Sequence, residues 1–587
     1  MQGVEERTGG TGLAPRLGQT RGTRRLRPPA PALGLGFGPG PGDGVRGGWL
    51  RCDFGACALC GPFGILCRMN PVSLILLLFF LITALSLVAA NIAIPYPTAM
   101  VIAGLVIGVA VYLIPHTKGL VIPLSPDVLF TLILPPLLYS AAWMTSWGEF
   151  RKNLRPIALL AIGCVFFTTV GIAAIAMALI PGFNWPMAFA LGAIVSPPDA
   201  VAAAAVTEKL RIPKRIVTIL NGESLVNDAS ALVALRFAIA AALGGMVHKS
   251  DILLQIPLVA LGGIAVGLVA SWVFHEIHER INHPLIETAL TLLAPYGCYI
   301  LADEIHTSGV LAVVTCGLVL SRHSPHLFSS RTRLTAIALW QFLEFMLNGL
   351  VFILIGLQLP TILRDLTVST WEAVEYAGII CGAVIVLRML WVVVGSRMSR
   401  WIPAVRRADP NPPWQHTFLI GWIGMRGVVS LAAALALPEV MTNGAPLPAR
   451  DLVLFLTFAV IVFTLVGQSL TLPAVIRWLK VESSASDPCE ESEARRRALT
   501  AALGTLAAHP ESHAVEALRN LYTHRIDHLA DCETAPGTVD AELTLLAETI
   551  KIQRKTLVQM RDKEEIPDEL LRKLEHELDL EESRLPD

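Results

Sequence analysis

Charge is what this chain most lacks: Asp, Glu, Lys and Arg together supply only 16% of its residues. Soluble globular domains usually carry about 25%. With 53% hydrophobic residues and a mean hydropathy of +0.59, the deficit excludes an ordinary soluble enzyme and points to a membrane. Basic and acidic residues balance at 46 and 47, so there is no basic excess for nucleic acid. Walker, Rossmann and catalytic-triad signatures are absent, so neither catalysis nor a cofactor is expected. Four of the ten cysteines, Cys52, Cys57, Cys60 and Cys67, fall near the start in a spacing that matches no zinc pattern. The other six are scattered, which excludes a disulfide framework.

Residues 1–68 have no lysine, nine Arg, and runs such as Gly-Phe-Gly-Pro-Gly-Pro-Gly. This composition predicts disorder, and Met69 reads as the natural start. Residues 69–480 form the apolar body. Residues 481–587 hold 13 Lys and Arg against 24 Asp and Glu, and Ile566, Leu570, Leu571, Leu574 and Leu578 recur there at helical spacing. A helical tail follows, either regulatory or merely solubilising.

A bilayer core takes about 20 apolar residues per helix. Thirteen windows qualify, near 71–91, 96–114, 126–144, 156–180, 186–206, 216–243, 252–274, 285–302, 307–320, 334–359, 373–396, 414–437 and 452–478. With the N-terminus outside, inner loops carry 15 Lys and Arg and outer loops 4. That bias predicts an all-α, multi-pass protein of the cell membrane with its tail in the cytoplasm.

Two windows are interrupted. The fifth holds Ser196-Pro197-Pro198-Asp199, where adjacent prolines remove two backbone donors and open the helix. The twelfth holds Gly424-Met-Arg426-Gly427. If windows 1–6 and 8–13 are inverted six-helix repeats, the breaks occupy matching places, the best sequence pointer to a transport site. The sixth window opens with Asn221-Gly-Glu223-Ser224-Leu-Val-Asn227-Asp228. Intramembrane acids cost several kcal/mol and are tolerated when they pair, carry protons or line a cavity. Asp228, with Ser224 one turn away and Asp199 across the interface, suits a hard cation, which prefers oxygen ligands. Since one carboxylate holds either the cation or a proton, competition couples the two flows.

Glu223 needs a positive partner, and Arg388 in the eleventh window is the first choice; Arg426 is the alternative, or offsets helix dipoles at its break. Glu344 and Asn348 share a helix face and read equally as packing polarity or pathway. His275, His278 and His283 read as a solvated inner surface.

In combination these residues resemble the monovalent cation:proton antiporters of the first family, the sodium/proton exchangers. Leu134-Pro-Pro-Leu-Leu, Ser196-Pro-Pro-Asp199, Gly222 to Asp228, Asn348-Gly-Leu-Val-Phe, Arg388 and Gly424-Met-Arg-Gly427 carry the resemblance, over about residues 70–480. It implies a homodimer of thirteen-helix protomers whose fifth and twelfth spans cross at their unwound centres. Asp228 would bind Na⁺ and accept the proton, with Asp199, Asn227, Ser224 and Ser196 in support. Glu223 would pair with Arg388. Pro197, Pro198, Gly424, Gly427 and Arg426 would support the breaks. The Asn-Asp pair resembles the electroneutral branch, exchanging cytoplasmic Na⁺, or Li⁺, for external H⁺ in pH and sodium homeostasis. A K⁺/H⁺ antiporter is the alternative, and a cation channel a more distant one. Many family members have Thr and Pro around the first Asp, and an acid where this chain has Ser140. Pro198 and Ala200 stand at the first two places, so a hydroxyl and a carboxylate are expected to be missing.

Overall fold

A computed structural model describes residues 71–582 apart from 93, 114–124, 208–211, 245–248, 282, 399–412, 443, 482–487, 531–535, 564 and 566. The Arg-rich extension, its four cysteines, the Met69 boundary and Ile566 lie outside the described residues. Within them the chain is helical, without a strand beyond one isolated bridge, Val440 to Pro446.

The chain runs through α1 (Pro71–Ile92) and α2 (Tyr96–Leu113), then a π-helical stretch, Val128–Ile133, that leads into α3 (Leu134–Met144). Two short helices follow, α4 (Trp147–Lys152) and α5 (Leu154–Ala158), the second continuing through π-helical Leu159–Cys164 into α6 (Val165–Leu179). Next come α7 (Trp185–Val195), α8 (Ala200–Thr207), α9 (Lys214–Ala242), α10 (Lys249–Glu279) and α11 (Pro284–Glu304). The second half holds α12 (Gly309–Leu327), α13 (Ser330–Leu357), α14 (Leu359–Asp365), α15 (Thr370–Met398), α16 (Trp414–Trp422) and α17 (Val428–Leu435). Then α18 (Arg450–Val462) runs through π-helical Phe463–Gln468 into α19 (Ser469–Leu479).

Each apolar window coincides with helix. Among the described residues eight helices, counting joined segments, are long and apolar enough to cross a membrane, and four shorter apolar ones accompany them. Windows 285–302 and 307–320 are the helices α11 and α12, joined by a four-residue turn. Between them His306 adopts a left-handed φ of 58°. Large apolar side chains such as Phe80, Leu258, Trp272 and Leu293 stand exposed around the bundle. Water would not tolerate so extensive an apolar surface, and lipid does. The protein is a multi-pass membrane protein.

Close packing depends on small residues at helix contacts, as expected where lipid replaces water and cannot drive association. One such contact is α2 on α13: a Cβ on Gly356 would fall 2.5 Å from the Gly104 carbonyl carbon, with backbone on both sides. Gly356→Ala is therefore expected to destabilise by about 1–3 kcal/mol through overpacking. Thermal melting in detergent checks this, and an unchanged midpoint would mean the two helices part without cost.

The cytoplasm-facing tail of the sequence reading is four helices, α20 (Pro488–Leu506), α21 (His513–Ala530), α22 (Pro536–Asp562) and α23 (Asp568–Glu582), packed as consecutive pairs. Leu571 and Leu578 on α23 and Ile550 on α22 are buried, whereas Leu570 is exposed, so the apolar stripe is narrower than the sequence suggests. Arg554 on α22 bonds to Asp579 at 2.7 Å and to Glu582 on α23.

Candidate cation site at a crossing of two broken helices

The fifth window is two helices because Pro197 and Pro198 deny the α-helical ladder its donors. Asn184 starts the first half, accepting the Met187 N–H at 3.0 Å; α7 then ends at Val195 and α8 begins at Ala200. The twelfth window divides in the same way, α16 ending at Trp422 and α17 starting at Val428. The two gaps meet: the Asp199 N–H donates to the Met425 carbonyl at 2.7 Å, and the Arg426 guanidinium bonds to the Ser196 carbonyl. Gly427 permits the approach, since a Cβ there would overlap the Asp199 carboxylate.

Two breaks create four half-helix ends, each with orphaned backbone groups and a partial charge. Asp199 serves both N-terminal ends. Its Oδ1 accepts the Val201 N–H at 2.9 Å, and the N–H groups of Ala202 and Val428 also point at the carboxylate. Arg426 serves the C-terminal end of α7 through the Ser196 carbonyl, while its own N–H is held by Thr464 Oγ1 at 3.0 Å. Arg388 serves the C-terminal end of α16, donating from Nη2 to the carbonyls of Ile420 at 3.1 Å and Ile423 at 2.9 Å. The same guanidinium grips Glu223 in a fork, Nη1 to Oε1 at 2.6 Å and Nη2 to Oε2 at 2.9 Å. Glu223 is 0% and Arg388 2% exposed, so this is a desolvated pair. Gly424 leaves room for the Arg388 stem, which a Cβ would meet at 2.6 Å.

Asn227 and Asp228 lie on α9 beside the crossing. Asn227 Nδ2 donates to the Pro198 carbonyl at 2.8 Å, which ties α9 to the first break, and its Oδ1 has no hydrogen-bond partner among the described residues. Ser196 Oγ turns back onto the Ala193 carbonyl at 3.0 Å, inside its own helix end. Asp228 differs from every other charge here. It is 5% exposed, and among the described residues its carboxylate makes no hydrogen bond or ion pair.

What Asp228 faces is a cleft of about 200 Å³. Asp199, Pro197, Pro198, Ser224, Asn221 and Gly427 share its walls, and Met144 and Thr145 stand at the end of α3. The structure thus brings Asp228, Asp199, Ser224 and both prolines to one cavity. Asn227, Ser196 and Arg426 are set behind it as ties between elements.

Several residues of this neighbourhood were not legible as such. Ser140, read as leaving the site short of a carboxylate, donates its hydroxyl to Glu344 Oε2 at 2.8 Å, and Glu344 lines the cleft. A carboxylate is therefore present, supplied by α13 instead of α3. Ser430 on α17 also lines the cleft, and Thr464 holds the twelfth-window break; no spacing in the sequence marks either. Of the inner histidines, His278 is buried rather than solvated, with Nδ1 against the Phe274 carbonyl at 2.6 Å. No cluster of three metal-ligating side chains occurs among the described residues.

The sodium/hydrogen exchanger transmembrane family model matches residues 75–478. A Mycobacterium tuberculosis protein described as an uncharacterized Na⁺/H⁺ exchanger is 32% identical over 507 residues, covering 84% of this chain and 92% of the relative. A Bacillus pumilus protein described as a sodium, potassium, lithium and rubidium/H⁺ antiporter is 31% identical over 491 residues, covering 81% of this chain and 73% of the relative. Among solved structures, the sodium proton antiporter MjNhaP1 from Methanocaldococcus jannaschii aligns with a TM-score of 0.54 at 18% identity, over 70% of this chain and 99% of that one. That likeness shows the same fold. Since the matched region holds both broken helices, Glu223 with Arg388, and the cleft at Asp228, the chain belongs to the sodium/hydrogen exchanger family.

Proposed function

We propose that the protein exchanges Na⁺ for H⁺ across the membrane, with Asp228 as the group that carries either ion. One observation supports this most directly: Asp199, Arg426 and Arg388 between them serve all four half-helix ends at the crossing, and Asp228 is left facing the cleft without a counter-group. A carboxylate taken out of water gains from a proton or from a metal ion. Both cannot occupy it at once, so the inward and outward flows are coupled. Asp199 and Ser224, on the walls of the same cleft, are further oxygen donors for Na⁺, and Asn227 supports them from behind.

A single unpartnered carboxylate trades one Na⁺ for one H⁺, which makes the exchange electroneutral. The cleft reaches Met144 and Thr145, next to the basic segment Arg151, Lys152 and Arg155. By the loop-charge bias that is the cytoplasmic side, so this conformation is open inward. Movement of the crossing helices relative to their neighbours would present Asp228 to the other side. The tail then lies in the cytoplasm of a cell membrane, and the protomer works as a homodimer. K⁺ remains the alternative cargo, because the Bacillus pumilus relative is described as moving it along with Na⁺, Li⁺ and Rb⁺.

Reconstituted in liposomes with a pH gradient, the protein is expected to collapse that gradient on addition of Na⁺, with no membrane voltage generated. Repeating the assay with Li⁺ and K⁺ ranks the cargoes. A gradient indifferent to all three cations removes the exchanger reading, and a rate that follows an imposed voltage removes the one-for-one stoichiometry.

A further inference from the structure

Glu344 and Asn348 stand one turn apart on α13 and both line the cleft that Asp228 faces. Ser140, buried on α3, donates to Glu344 Oε2 at 2.8 Å and so aims that carboxylate. Asn348 is 0% exposed, yet neither its amide oxygen nor its nitrogen has a hydrogen-bond partner among the described residues. Ser430 Oγ on α17 is also buried, lines the same cleft and likewise has no partner among them. Unsatisfied buried groups of this kind cost about 1–3 kcal/mol each, and two on one cavity wall call for an explanation. A carboxylate with a neutral amide oxygen and a hydroxyl is a donor set for a hard cation. The cleft of about 200 Å³ leaves room for part of a hydration shell.

We infer that Glu344, Asn348 and Ser430 form a second, transient subsite for a partly hydrated monovalent cation, on the path between the cleft mouth and Asp228. The inference rests on the exchanger reading and adds to it a place where the cation waits. Glu344 supplies charge that raises the local cation concentration, Asn348 and Ser430 replace lost water ligands, and Ser140 positions Glu344. A Gln at 344 still accepts from Ser140, so Glu344→Gln removes the charge and keeps that bond.

Glu344→Gln in full-length protein, assayed in liposomes over a range of Na⁺, separates the subsite from purely structural polarity. The half-saturating Na⁺ is expected to rise about threefold to tenfold, with the maximal rate kept within about twofold and the shift shrinking as choline chloride is added. Adding Ser140→Asp to that variant returns a carboxylate from the opposite wall and restores half-saturation. Asn348→Ala leaves Glu344 intact and is expected to shift half-saturation in the same direction. Unchanged half-saturation in both Glu344→Gln and Asn348→Ala overturns the subsite, as does a shift that Ser140→Asp and added salt both leave untouched. Failure of Asp228→Asn to stop transport would instead overturn the exchanger reading, so the two failures are distinct.

Discussion

Asp228→Asn is expected to reduce Na⁺/H⁺ exchange to background while the protein stays folded and in the membrane. The argument is one of assigned roles. Glu223 is occupied by Arg388 in a two-bond fork, and Asp199 receives N–H groups from both half-helices, so neither is available to release an ion in every cycle. Asp228 accepts nothing among the described residues, so its amide analogue breaks no contact. Removing an uncompensated charge from a buried place is commonly neutral or stabilising, and the melting midpoint should be unchanged or raised. Asp199→Asn should behave differently. It keeps one acceptor oxygen for two helix N-termini but loses the charge that complements their dipoles, worth about 0.3–2 kcal/mol. A fall in stability is expected alongside the fall in rate. Rate and melting measured on the same two preparations decide the matter. Near-normal exchange by Asp228→Asn would move the ion to another group, and identical behaviour of the two variants would deny the division of labour between them.

How far the sequence revealed this site depends on whether each signal is local. The breaks were readable because proline and glycine act on their own backbone: Pro197 and Pro198 open α7 from α8 wherever they sit. Asp228 was readable because an acid in an apolar run is costly in any membrane fold. The choice of Arg388 for Glu223 followed from there being few buried charges to choose from. The structure adds what no local rule carries, which half-helix end each charge serves. That Arg388 also holds the carbonyls of Ile420 and Ile423 requires α15 to pass beside the end of α16. Asp199 reads in the sequence as a cation ligand opposite Asp228; its bond to Val201 is local capping, but its approach to Val428 depends on the crossing. Position-by-position comparison at Ser140 reported a lost carboxylate. In space Glu344 returns one from 204 residues away, which a single position cannot reveal.

Glu223→Gln is expected to destabilise the protein by about 3–5 kcal/mol, the range for breaking a buried pair and leaving one charge behind. Arg388 cannot shed its proton, and both partners are almost wholly removed from solvent, so salt will not screen the loss. Ordinarily, replacing both members with apolar residues recovers most of such a deficit. Here it should not. Arg388 also satisfies two carbonyls at the opened end of α16, and leaving them orphaned costs about 1–3 kcal/mol each. Glu223→Leu combined with Arg388→Leu is therefore expected to melt above Glu223→Gln but clearly below the unmodified protein, with exchange impaired because the crossing has lost one of its ties. Arg388→Lys tests the same point: it retains the charge yet cannot reach a forked carboxylate and two carbonyls together, and should fall between the two. Were the double apolar variant to melt with the unmodified protein, Arg388 would be a counter-charge alone, and the half-helix end at Ile423 would have to be held by something else.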